Sequence, residues 1–196
     1  MTYINWSKPF EFEVGGETFR FPTYGNYGGT HYSSGKFGKA PPVDQDGSYL
    51  SNRQLDDNKD ALDYLFYKRD VASRLADNAA EQKAADLALL RSIDDLSGRQ
   101  LADPEASLYA GLATIGIAGQ VLANNPSPAL ADRLLPYLED AVDNIATGLS
   151  GLNRKELAKA RSVLEETIDT LQDINFPGSA VDTLIGHVAA QVEALM

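Results

Sequence analysis

Asp60-Ala61-Leu62-Asp63-Tyr64-Leu65-Phe66-Tyr67-Lys68-Arg69-Asp70-Val71-Ala72-Ser73-Arg74-Leu75, followed beyond Asp77-Asn78 by Ala85-Asp86-Leu87-Ala88-Leu89-Leu90-Arg91-Ser92-Ile93, is the stretch that decides the fold. Leu62, Leu65, Phe66, Ala72 and Leu75 recur at helical spacing and mark one apolar face, while Leu89, Leu90, Ile93 and Leu96 mark a second. The break between the two helices is predicted near Asp77-Asn78. Two carboxylates interrupt the pattern. Asp70 lies four positions after Phe66 and seven after Asp63, and Asp86 precedes Leu89, Leu90 and Ile93 by three, four and seven, so both should project toward the core. A buried carboxylate needs a cation, a metal or several donors, because an unpaired one is costly and tends to take up a proton. A structural salt bridge or a helix-edge position would serve as well as a functional site.

On the N-terminal side the chain changes character. Phe10-Glu11-Phe12-Glu13-Val14 and Thr18-Phe19-Arg20-Phe21 alternate around Gly15-Gly16, which predicts a compact β-hairpin. Tyr24 to Gly47 carries six glycines and two adjacent prolines and reads as an irregular loop whose aromatic residues pack. On the C-terminal side Ala102 to Ala123 reads as a central helix of small apolar residues, with Gly111, Gly116 and Gly119 permitting close approach. Three further helices are predicted: one from Ser127-Pro128, one capped by Asn153 and one after Gly178 with Val181, Leu184, Ile185, Val188, Val192 and Leu195 on its face. Pro136 should kink or shorten the first of these. The expected fold is therefore mainly α, with an N-terminal β-hairpin and glycine-rich loop, an antiparallel helix pair and a C-terminal helical bundle.

Composition narrows the function. A formal charge of −11 over 196 residues repels phosphate backbones, so no nucleic-acid partner is expected, and it suits divalent cations or zwitterionic surfaces. With no cysteine, disulfides, thiolate metal sites and cysteine nucleophiles are excluded. The first residues lack a basic region followed by an apolar stretch, and no long run of uncharged apolar residues follows. The protein is thus expected to be cytoplasmic, or secreted without a cleaved signal peptide, and not transmembrane. His187, after Leu184 and Ile185, is read as a partly buried helix histidine. Asp44-Gln45-Asp46-Gly47-Ser48 lacks the twelfth-position glutamate of a calcium loop and reads as an acidic turn.

Taken in order, Tyr24-Gly25-Asn26-Tyr27-Gly28-Gly29, Asp60-Ala61-Leu62-Asp63, Arg69-Asp70 and Ala85-Asp86-Leu87-Ala88-Leu89-Leu90 are similar to the phospholipase A2 superfamily, closest to its cysteine-free bacterial members. The resemblance covers Tyr24 to Leu96, broken by an insert around 43–58. It implies a phospholipase A2-like domain over 1–124 and a helical extension over 125–196. It also implies calcium as the cofactor, held by the carbonyls of Tyr27, Gly29 and His31 and the carboxylate of Asp70, with Asp86 as the acid that orients a catalytic histidine. Calcium is a hard cation that takes six to eight oxygens, which a flexible loop can supply with a single carboxylate. Arg69 stands where the family carries that histidine, and a guanidinium, always protonated, cannot serve as a general base. Ser73 stands where the family commonly has a tyrosine bonded to the inner acid, and His31 where it commonly has glycine. Arg69 is expected to satisfy Asp86 with a bidentate pair. The resemblance implies a calcium-binding, lipid-related protein, impaired or inactive as an esterase, with a phospholipid or membrane surface as partner. The other reading is a helical interaction or scaffold protein that meets a protein partner through its C-terminal helices. A third is an active enzyme that uses His31 as its base.

Overall fold

The computed structural model describes residues 3–55, 59–96, 98–174 and 179–195. Among them the chain forms strands β1 (Ile4–Val14), β2 (Glu17–Tyr24), β3 (Tyr32–Ser33) and β4 (Lys36–Phe37). The helices are α1 (Ala61–Leu75), α2 (Ala79–Asp94), α3 (Pro104–Asn124), α4 (Pro128–Gly151), α5 (Arg154–Asp173) and α6 (Ser179–Glu193). The fold is mainly helical, with a two-stranded antiparallel sheet at the N-terminus.

The chain divides into two compact units: Met1–Phe10 with Pro22–Leu101, and Glu11–Phe21 with Ala102–Met196. The division falls after Leu101, whereas the sequence-derived division fell at 124, so α3 groups with the helices that follow it. In the first unit α1 packs against α2. Asp60 caps α1 by accepting the Asp63 N–H at 2.8 Å, and Asn78 caps α2 by accepting from Ala80 and Glu81, which is the break expected at Asp77-Asn78. Leu62, Phe66, Leu89, Leu90 and Ile93 are buried as their spacing predicts, but Leu75 in the last turn of α1 is 60% exposed. The periodic face runs out before the helix does.

In the second unit α3 is the buried helix, packed on α4. It is long and apolar enough to cross a membrane by length and composition, yet 83% of its most apolar window is buried inside the protein. Glycine explains how closely it meets α4. A Cβ on Gly111 would stand 2.5 Å from the Ala141 carbonyl, and one on Gly148 would stand 2.6 Å from the Leu108 backbone nitrogen. Phe12, Phe19 and Phe21 of the hairpin tip belong to this unit with ring centroids 5.3–6.0 Å apart, Phe12 and Phe19 stacked and Phe21 edge-on to both. Phe21 also lies where a side chain on Gly116 would be, at 2.7 Å. Ser127, with Pro128 at the first helical position, starts α4, and Asn153 with Glu156 forms a capping box at α5.

Three expectations need correction. Of the two outcomes expected of Pro136, shortening does not occur: α4 runs unbroken over 24 residues, and the proline lies on the exposed side, where the carbonyl it leaves unpaired can meet water. His187 is exposed, with Gly186 and Ala190 beside it on the outer face of α6. The loop is less irregular than its glycine content suggested, since Tyr32↔Phe37 and Ser33↔Lys36 pair as a short antiparallel ribbon. The Gly178 lead-in to α6 and the side chains of Val181, Leu184 and Ile185 lie outside the described residues.

Candidate functional site

The glycine-rich loop follows β2 and is closed on itself. Tyr24 and Gly28 exchange two backbone hydrogen bonds of 2.8 Å, and Gly25 donates its N–H to the Tyr3 carbonyl at 2.9 Å. Gly25 has a φ of +52, and a Cβ there would lie 2.4–2.6 Å from the carboxylate of Asp63, so glycine is required both by conformation and by space.

That carboxylate, on the first turn of α1, ties the loop to the helix. Asp63 is fully buried and accepts the N–H of Tyr27 at 2.8 Å, of Asn26 at 3.0 and 3.1 Å on its two oxygens, and of Lys59 at 2.9 Å. Burial raises its pKa to about 7 against the lowering effect of these donors. Asp60 adds a second tie by accepting the Tyr24 hydroxyl. Sequence reasoning placed Asp63 in a motif and gave it no role. Its spacing, three before Phe66 and seven before Asp70, was the available signal that it faces inward.

Two turns further along α1, Asp70 is half-buried and does not reach the core that its spacing predicted. Burial holds its carboxyl well above the ordinary carboxylate range, with Arg69 opposing and the Asp63 charge adding to the shift. Among the described residues it has no hydrogen-bond partner. Next to it, Arg69 turns toward α2 and donates from Nε at 3.0 Å and Nη2 at 2.8 Å to Oδ1 of Asp86. Asp86 is 3% exposed. Gln82, one turn before Asp86, donates from Nε2 to the Ser73 hydroxyl at 3.0 Å and, more weakly, to Asp86 Oδ1 at 3.4 Å. Ser73 therefore reaches Asp86 through Gln82, a residue the sequence reading passed over although it lies at i−4 on the same face.

The structure thus brings Arg69, Asp86 and Ser73 into one network. It places Tyr27, Gly29 and His31 in the loop, where several of their groups serve the loop itself. The Tyr27 hydroxyl lies 3.2 Å from Ser34 Oγ, the Gly29 carbonyl accepts from Tyr32 at 3.2 Å, and the His31 carbonyl accepts from Gly38 at 2.8 Å. His31 adopts a φ of +54, the left-handed conformation its Cβ disfavours, and its side chain is exposed. Calcium can be tested against this geometry. Asp70, half-buried and without a hydrogen-bond donor among the described residues, could offer one carboxylate, although the acid that meets the loop is Asp63. The Gly29 and His31 carbonyls each keep a second lone pair after their backbone bond. No group of three or more His, Cys, Asp or Glu side chains converges among the described residues, so any cation here would rely on backbone carbonyls and one carboxylate. No family model, curated protein or solved structure matches the chain.

Proposed function

We propose that this is a phospholipase A2-like protein in which the helix-pair catalytic centre has been converted to an ionic lock, leaving a calcium-responsive, lipid-related protein with little or no esterase activity. The observation that carries this reading is the double donation from Arg69 to the buried Asp86, at the two positions where the family pattern carries a histidine and the acid that orients it. A guanidinium held this way neutralises the inner acid and cannot accept a proton from water. Asp70 would supply the carboxylate for calcium, and Tyr27, Gly29 and His31 the carbonyls. When bound, the ion would polarise an ester carbonyl.

The test has two arms. Calorimetric titration should show saturable calcium binding that Asp70→Asn abolishes. Arg69→His should raise calcium-dependent hydrolysis of micellar or monomeric phospholipid by a measurable part of the roughly 10²–10⁴-fold that general-base assistance contributes, and Ser73→Tyr added to it should raise the rate further. Strong hydrolysis by the parent, abolished by His31→Ala and unchanged by Arg69→His, would instead favour His31 as the base.

A second reading has its own support. The two loop N–H groups that Asp63 accepts, those of Asn26 and Tyr27, already fix the loop on α1, so the fold needs no cation to hold the loop in place. A helical interaction protein that retains the architecture without calcium predicts a flat titration for the parent.

A further inference from the structure

Two polar rungs join α1 and α2. Arg69 faces Asp86, and one turn further along α1 Ser73 faces Gln82, which lies one turn before Asp86 on α2. Gln82 belongs to both rungs, since its Nε2 donates to the Ser73 hydroxyl at 3.0 Å and to Asp86 Oδ1 at 3.4 Å. Its place is set by the helix start: the Gln82 N–H donates to the Asn78 carbonyl at 3.1 Å, and the Asn78 side chain caps that turn. Among the described residues Ser73 makes no hydrogen bond to Asp86 itself.

An amide fits this double task. A carboxamide nitrogen carries two N–H groups, so one can rest on the hydroxyl while the other meets the carboxylate. It also carries no charge. A glutamate here would repel Asp86, and a lysine would compete with Arg69 for it. With arginine in place the guanidinium dominates: Nη2 at 2.8 Å and Nε at 3.0 Å reach the same oxygen, and Gln82 stands off at 3.4 Å. When the side chain at 69 is shortened, Gln82 becomes the remaining donor, among the described residues, to a carboxylate that is 3% exposed. A hydrogen bond to an ionised acceptor in such a setting is one of the stronger kind.

We propose that Gln82, braced by Ser73, is the positioning residue for Asp86. It keeps the inner acid aimed at position 69 whichever side chain stands there, the task that the resemblance gives to a tyrosine at 73. This rests on the phospholipase-like reading and deepens it: the site has lost its base, while the support of its acid has moved from α1 to α2.

The experiment follows the imidazole introduced by Arg69→His in the isotope-labelled full chain, first by nitrogen NMR with EDTA present and then by phospholipid hydrolysis with calcium. With Gln82 in place, Asp86 should accept from one ring nitrogen and hold the neutral imidazole in a single tautomer, read from its two nitrogen shifts. Gln82→Leu should leave a tautomer mixture. Gln82→Glu, of the same length but unable to donate when ionised, should do the same. Ser73→Tyr added to Gln82→Leu should restore the single tautomer by supplying a donor from the other helix. In hydrolysis Gln82→Leu should lower kcat roughly 10- to 100-fold with KM unchanged, as for loss of a partner that orients a functional side chain, and Ser73→Tyr should again restore it. A mixture in Arg69→His itself, or a tautomer that neither Gln82 variant disturbs, would overturn the proposal. A loss that Ser73→Tyr leaves unrepaired would reduce Gln82 to a packing residue and overturn it equally. If the tautomer series behaves as expected while no variant hydrolyses phospholipid, the phospholipase reading fails and the positioning role stands.

Discussion

Arg69→Met keeps the length and much of the apolar stem of the side chain while removing both hydrogen bonds to Asp86. What remains at Asp86, 3% exposed, is the long contact from Gln82 at 3.4 Å. Removing one partner of a fully buried ion pair costs about 3–5 kcal/mol. The Arg69 side chain is 18% exposed, so water can partly replace it, and about 2–4 kcal/mol is the expected loss. For a chain of this length that corresponds to a fall in Tm of roughly 4–16 °C. The protein carries its own probe, since its single tryptophan, Trp6, belongs to the same compact unit as Arg69 and Asp86. Urea unfolding followed by Trp6 fluorescence should show the lower midpoint in Arg69→Met. Arg69→Met with Asp86→Leu, which removes both charges, should recover most of the loss, because a buried pair replaced by apolar residues is often neutral. If Arg69→Met costs less than about 0.5 kcal/mol, or the double variant is no better than the single one, the lock is not a coupled pair and the account of Asp86 fails.

Other outcomes follow from the same geometry. Asp63 has a folded pKa of about 7 against an ordinary 3.8, so its contribution to stability is complete at pH below 3.8 and is lost as pH rises through 7. Urea midpoints should therefore fall between pH 4 and 7, Asp70 acts in the same direction, and Asp63→Asn should flatten the profile; a parent whose stability climbs over that range contradicts the assignment. Gly25→Ala should destabilise by at least about 2 kcal/mol by combining left-handed strain with displacement of the Asp63 carboxylate, whereas Gly38→Ala, with positive φ but open space, should pay only the strain. Gly148→Ala should cost about 1–3 kcal/mol in thermal unfolding, since its Cβ meets Leu108 backbone at 2.6–2.7 Å, while Gly119→Ala, 3.4 Å from Leu171 Cδ2, should be neutral or mildly stabilising.

Much of this architecture is legible along the chain because it rests on local rules. The apolar period places Leu62, Phe66, Leu89 and Ile93 inside, and cap residues with side-chain acceptors mark where α1, α2, α4 and α5 begin. The alternation around Gly15-Gly16 gives the hairpin, and helical spacing alone turns Asp86 inward within reach of Arg69. What stays hidden depends on partners distant in sequence. Asp63 accepts from Asn26 and Tyr27, about 36 positions away, and no periodicity indicates which buried carboxylate a loop will choose. The insert meets α1 through the Leu50 backbone, which Tyr64 and Tyr67 bond from 14 and 17 positions away, and Leu75 is exposed although the apolar period includes it. Sequence by itself determined which faces are apolar and where helices start, since those follow from side-chain chemistry within a turn or two. Tertiary structure alone decided which acid meets the loop, which meets the arginine and which is left without a donor, because those choices depend on where separate segments bring their hydrogen-bond donors in space.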